Sequence, residues 1–190
     1  MIGDRSGGAA EVVSDWIERF ADLVAPGARV LDVACGNGRH ARFFAGRGCV
    51  VEAVDRDPAC AAALADVPSV HFLAADIEAD PWPYRGRAFD LIVVTNYLHR
   101  PLLPVLRDAL ADGGLLLYET FAVGQQNFGR PTNPDFLLRP GELLDFFRPA
   151  LAVIAFEDTL VHRPGPVRVQ RIAACRGPLP ADRTPAPSRL

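Results

Sequence analysis

Residues 31–40 read LDVACGNGRH: an apolar run holding Asp32, a turn bracketed by Gly36 and Gly38, then basic residues. Branched apolar side chains from Arg29 to Ala34 suit a buried strand, and RHARFFAGRG (39–48) reads as a helix closed by glycine. A strand, a glycine turn and a helix in that order begin an open α/β sheet, whose ligands sit at the carboxyl ends of the strands. Gly36-Asn37-Gly38-Arg39-His40-Ala41 fits the dinucleotide pattern GxGxxG/A, and Asp55 follows at the distance of about 20 residues that ribose recognition requires. Asp32 argues against a diphosphate there. Its carboxylate would repel phosphate and attract an ammonium or sulfonium.

Working outward, VVSDWIERFADLV (12–24) has Val12, Val13, Trp16, Ile17, Phe20 and Val24 at helical spacing. Cys49 to Val54 is a second strand leading to Asp55, and DPACAAALADV opens a helix with Pro58 in its first turn, Asp57 being better placed than Asp55 to cap it. Val70 to Ala74 is a third strand, followed by Asp76 and a proline-broken loop. Phe89 to Thr95 is apolar on both faces, as a central parallel strand must be. Leu102 to Leu110 predicts a helix, Asp112-Gly113-Gly114 a turn and Leu115 to Phe121 a fifth strand. A long connection, Ala122 to Pro140, precedes the short helix GELLDFF, and Ala150 to Phe156 with Val167 to Cys175 form a closing antiparallel pair. The expected fold class is α/β: a doubly wound, Rossmann-like, seven-stranded, mostly parallel sheet with an antiparallel last strand. It occupies one domain, residues 1–176, and the proline-rich 177–190 form a disordered tail.

The composition narrows the function classes. The chain has 190 residues, 20 basic against 23 acidic and a formal charge of -3, which gives no electrostatic case for a nucleic-acid or anionic-membrane partner. No apolar run approaches the roughly 18 residues of a membrane span, and the N-terminus lacks the order of a secretion signal, so a cytoplasmic protein is expected. The four cysteines show no CxxC spacing, so no metal site is expected.

A ligand with an ammonium and a sulfonium near Asp32, ribose hydroxyls for Asp55 and an adenine within reach of Asp76 is S-adenosylmethionine. VLDVACGNG resembles the first motif of the class I S-adenosylmethionine-dependent methyltransferases, and VEAVDRD and FLAADIE resemble their acid-ended second and third strands. One departure is that Ala34 stands where the family has its first glycine. The region YETFAVG…FLLRPGELLDFF is more loosely similar to the tellurite-resistance-like group. The resemblance implies cofactor contacts from Asp32, from the turn residues Ala34, Cys35, Gly36, Asn37 and Gly38, from Asp55 and Arg56, and from Asp76, Ile77 and Asn96. Tyr97 and His99, in TNYLHRP after the fourth strand, are the candidate catalytic residues, either serving as proton acceptor if the nucleophile is a hydroxyl or amine. Glu119 reads as a solvated strand-end acid, and the region Gln125 to Arg130 as a lid or a mobile loop.

The expected activity is methyl transfer from S-adenosylmethionine to a small molecule. Two alternatives remain: an NAD-dependent oxidoreductase, favoured by the GxGxxA match, and a catalytically silent S-adenosylmethionine-binding partner of another enzyme. Nucleic-acid methylation finds neither an Asn-Pro-Pro-Tyr-type motif nor a basic excess.

Overall fold

The computed structural model describes residues 12–162 and 165–178. Seven strands form one sheet: β1 (Arg29–Val33), β2 (Val50–Asp55), β3 (Val70–Ala74), β4 (Phe89–Thr95), β5 (Leu110–Phe121), β6 (Ala152–His162) and β7 (Pro166–Cys175). Their order is β3-β2-β1-β4-β5-β7-β6. The first five run parallel, and β7 enters antiparallel between β5 and β6. The expected fold class is therefore the observed one.

Alternation along the strands builds two cores. On one face Leu31, Val33, Ile92, Val94, Leu116 and Tyr118 pack with α4 (Leu102–Asp108) and α5 (Glu142–Phe147). On the other, Val30, Leu91, Val93 and Leu117 meet α1 (Asp15–Arg19) and α2 (Arg39–Gly46). Asp32 is two residues from Val30 and so shares its face, which aims the carboxylate at α2. That single consequence of strand periodicity decides what Asp32 does.

Several boundaries differ from the sequence reading. The first helix is only α1 and a 3-10 turn at Ala21–Leu23. Ser14 begins it by accepting the Trp16 N–H, which leaves Val12 outside the helix and 85% exposed rather than on the buried face. The turn expected at Asp112-Gly113-Gly114 lies inside β5, where the pairing with β4 jumps from Phe89–Leu110 to Leu91–Leu115. Gly114 permits this because a Cβ there would lie 2.7 Å from the Phe89 carbonyl oxygen. β6 runs six residues past its expected end at Phe156, paired with β7 throughout. Part of the expected tail, residues 179–190, lies outside the described residues.

Glu119 is not solvated. It is fully buried, accepts the Ser14 hydroxyl at 3.0 Å and faces the Arg171 guanidinium at 3.4 Å, while Arg171 also pairs with Glu157. A buried acid is tolerated because it is charge-paired and hydrogen-bonded. Here the ion pair ties α1 to β5 and β7.

Gly38 and Gly36 both have positive φ, 73° and 53°, yet a Cβ on Gly38 would lie 2.4 Å from the Leu64 side chain while one on Gly36 would meet nothing within 4 Å. Gly38→Ala is therefore expected to lower folding stability by about 1–3 kcal/mol, through left-handed strain and displacement of Leu64. Chemical denaturation checks this, and an unchanged midpoint would contradict the packing role of Gly38.

Candidate active site

The carboxyl ends of β1 to β5 open into one cavity of about 750 Å³. That lies within the range of small-ligand sites, about 300–1,000 Å³. Its floor comes from the turn after β1, its near wall from the acids ending β2 and following β3, and its far wall from the segment after β5.

The turn brings Ala34, Cys35 and Gly36 to the cavity. Ala34 has φ 52°, a left-handed conformation that an L side chain adopts at a cost of about 1 kcal/mol or more. This is the physical reason a glycine suits the position better. Burial and the nearby carboxylates push the Cys35 thiol up, so it is an inert wall.

Asp55 and Asp76 also line the cavity. Asp55 Oδ2 accepts the Gly36 N–H at 2.9 Å and Oδ1 the Asp57 N–H at 3.0 Å, which fixes the carboxylate at the rim of the turn. Asp57, expected to cap the following helix, instead accepts the Ala59 N–H one residue ahead of α3 (Cys60–Leu64), which has no side-chain cap. Asp76 Oδ1 accepts the N–H groups of Glu78 and Ala79. Arg56, Ile77, Asn96 and Tyr97 complete the group that the sequence reading and the structure share.

Four expected residues do not reach the cavity. Asn37 is exposed and Gly38 is buried against Leu64. His99 stands beside Glu78, its Nδ1 3.6 Å from Oε2, and is not part of the lining. Asp32 is the consequential case. It is 1% exposed, and its Oδ2 accepts the Ala41 N–H in the first turn of α2 at 3.0 Å. It caps a helix rather than touching a ligand.

That correction leaves the argument against a diphosphate standing on a different footing. The N–H of Gly36 is already bonded to Asp55, that of Ala41 to Asp32 and that of Gly38 to the Cys35 carbonyl. A diphosphate would find these donors spent and two carboxylates behind them, the reverse of the anion-binding glycine loop.

Tyr97 is held by its carbonyl, which accepts the Tyr118 hydroxyl at 2.9 Å. Its own hydroxyl is buried, with no partner at hydrogen-bonding distance among the described residues, although the Glu78 carboxylate lies near enough to act on it. Burial, with the Glu78 carboxylate adding to it, pushes the phenol pKa up. Tyr97 is therefore a neutral donor, and His99, the other candidate proton acceptor, stands outside the cavity lining.

The segment after β5 was the least legible part. Val123 N–H bonds to the Leu138 carbonyl and Leu138 N–H to that of Phe121, closing the connection onto β5. Gln125, 4% exposed, donates to the Arg130 carbonyl and accepts the Arg168 N–H. Arg100 grips the other end: its guanidinium bonds Glu142 at 2.6 and 3.0 Å and the carbonyls of Asp135 and Leu137 at 2.7 and 2.9 Å. The segment read as a lid or a mobile loop is pinned at both ends, which brings Arg130, Pro131 and Phe136 to the cavity beside Thr120 and Phe121. The arginine after His99 gave no distinctive signal, because the acid it grips lies 42 residues away.

Residues 6–158 match the family described as a methyltransferase domain. The chain belongs to this family. The tRNA U34 carboxymethyltransferase of Chromohalobacter salexigens is 38% identical over 128 residues, covering 58% of this chain and 38% of the relative. That of Methylococcus capsulatus is 32% identical over 119 residues, covering 55% of this chain and 36% of the relative. The chain thus matches little more than a third of the length of these relatives. Among solved structures, TehB from Haemophilus influenzae superposes with a TM-score of 0.70 at 18% identity, covering 87% of this chain and 63% of that one. NodS from Bradyrhizobium japonicum in complex with S-adenosyl-L-homocysteine gives 0.66 at 16% identity, covering 86% and 84%. Its family makes the chain an S-adenosylmethionine-dependent methyltransferase domain, and the oxidoreductase alternative falls away.

Burial pushes the Asp32 carboxyl up to about 7 from an ordinary 3.8, despite the Ala41 hydrogen bond that opposes the rise. The folded state therefore binds the proton more tightly, and Asp32 makes stability fall as pH rises between about 4 and 7. Asp32→Asn keeps an oxygen for Ala41 and carries no charge. Its melting temperature relative to the native protein is expected to rise between pH 5 and pH 8. A difference independent of pH would show that Asp32 does not pay a burial cost.

Proposed function

We propose that the protein is an active methyltransferase that moves the methyl group of S-adenosylmethionine to a small molecule. The observation carrying this reading is the cavity whose rim holds two fixed carboxylates, Asp55 and Asp76, while the N–H groups of Gly36, Gly38 and Ala41 are already satisfied. The residues fit the cofactor: Asp55 would accept from ribose hydroxyls and Asp76 from the adenine amino group. Ile77 and Arg56 would flank the adenine ring. The open space over Gly36 would admit the ribose and methionine chain, with Asn96 near its polar end.

S-adenosylmethionine supplies a methyl group on a sulfonium, open to in-line displacement. The chain's own contribution is alignment and exclusion of water, and orientation alone can be worth several kcal/mol. Tyr97 offers an O–H donor at the methyl-accepting end. Since it and His99 are not placed as bases, the suited acceptor is a nucleophile carrying a lone pair without prior loss of a proton, such as a thiolate or an oxyanion. The walls beyond β5 are pinned close to the cavity, which favours a compact acceptor over a polymer. Four buried, unpaired cysteines are consistent with work in a reducing compartment such as the cytoplasm.

A second reading takes tRNA as the acceptor, favoured by the similarity to the Chromohalobacter tRNA U34 carboxymethyltransferase. Filter binding with total tRNA separates the two: tight binding that weakens steeply with salt would favour tRNA, and its absence the small molecule.

Calorimetry with S-adenosylhomocysteine and with NAD tests the main reading. The native protein is expected to bind the former and not the latter, and Asp55→Ala to weaken S-adenosylhomocysteine by about tenfold or more through loss of a charge-assisted acceptor. NAD binding, or undiminished affinity in the variant, would contradict it. Gly36→Val should abolish binding, since its side chain would enter the cavity, at an added cost in stability from the left-handed backbone at φ 53°; a variant that folds and still binds would place the cofactor elsewhere.

A further inference from the structure

We infer that the methyl acceptor carries an anionic group, a carboxylate or comparable oxyanion, on a flat apolar body, and that Arg130 selects it. This rests on the methyltransferase reading and names the substrate class of the same cavity.

The two ends of the cavity differ in chemistry because they are built by opposite sides of the sheet. On the β2–β3 side stand the acids Asp55, Asp76 and Glu78, with Arg56 among them. On the β5 side stand Phe121, Arg130, Pro131 and Phe136, with Tyr97 between the two sides. A cofactor spanning from the acids to the glycine turn leaves the β5 side for the acceptor.

Arg130 is the uncommitted cation of that side. Among the described residues no carboxylate lies within ion-pair distance of its guanidinium and no acceptor receives its N–H groups. Its neighbours in the same region are committed: Arg100 and Arg139 to Glu142, Arg168 to Asp158, and Arg171 to Glu119 and Glu157. Chance exposure of a loop arginine would account for this if the loop were loose, but Gln125 holds the Arg130 carbonyl at 3.0 Å and Arg100 holds the chain at Asp135 and Leu137. The backbone cost of presenting the cation is met by the fold rather than by binding.

Arg130 is an exposed residue on the β5 side of the cavity lining, and a guanidinium there is matched by a planar oxyanion through two parallel hydrogen bonds. Phe121, Pro131 and Phe136 line the same side with apolar surface, and Phe136 is 50% exposed, more than a large aromatic usually is. Together they suit a ligand with one charged edge and an apolar remainder. A neutral amide of the same shape would leave Arg130 without its counter-charge, and a cationic acceptor would be repelled.

Benzoate and benzamide are the probes, the same ring with and without the charge, titrated into protein saturated with S-adenosylhomocysteine and followed by calorimetry and thermal shift. Benzoate is expected to bind and to raise the melting temperature, and benzamide to bind at least about tenfold more weakly. Arg130→Gln should weaken benzoate about tenfold or more while S-adenosylhomocysteine affinity stays unchanged, and Arg130→Lys should restore part of the loss. Absence of benzoate binding, equal binding of benzamide, or full benzoate affinity in Arg130→Gln would overturn the inference while leaving the methyltransferase reading intact. Failure of the native protein to bind S-adenosylhomocysteine would instead defeat that reading, and this inference with it.

Discussion

The hydrogen bond from the Ala41 N–H to the Asp32 carboxylate is the contact on which the site depends. It fixes the first turn of α2 against β1 and so determines the path of the turn between them. The path in turn demands left-handed backbone at Ala34, Gly36 and Gly38 and leaves open space above Gly36. A charged helix cap in a dry position is costly, and the raised pKa of Asp32 expresses that cost. It is tolerated because the donor is one of the orphan N–H groups of a helix start, which would otherwise be buried unpaired.

The same contact sets what the cavity refuses. A glycine turn leading into a helix ordinarily presents free N–H groups to phosphate. Here Asp32 and Asp55 occupy two of them, so the rim carries excess acceptors and favours ligands that bring donors or positive charge. The opposite wall, from Phe121 through Phe136, has the complementary character, with a cation among apolar side chains. Asp55 and Arg130 thus lie on walls that come from opposite sides of the central strands, β2 and the segment after β5. This separation leaves room for two ligands of unlike charge within one cavity.

Much of this was legible in the sequence. The seven-stranded fold followed from the alternation of strands and helices, and β3 and β4 matched their expected limits because their apolar runs stop at the residues that leave the sheet. Asp55, Asp76, Asn96 and Tyr97 reached the cavity because strand ends fix position irrespective of distant contacts. Asp32 was assigned to the right turn but the wrong partner, since period-two alternation puts it on the α2 face and the residue type alone does not say so. The pinned wall was illegible for another reason. Arg100 and Gln125 act through partners from 5 to 43 residues away, and no local pattern encodes such pairings.

A crystal structure of the protein with S-adenosylhomocysteine tests the central claim most directly, namely that carboxylates hold the turn and its donors are spent. The account predicts the ribose hydroxyls on Asp55, with the Ala41 N–H still on Asp32 and the Gly36 N–H still on Asp55. A ligand accepting directly from Ala41 and Gly36, with both carboxylates swung away, would contradict it.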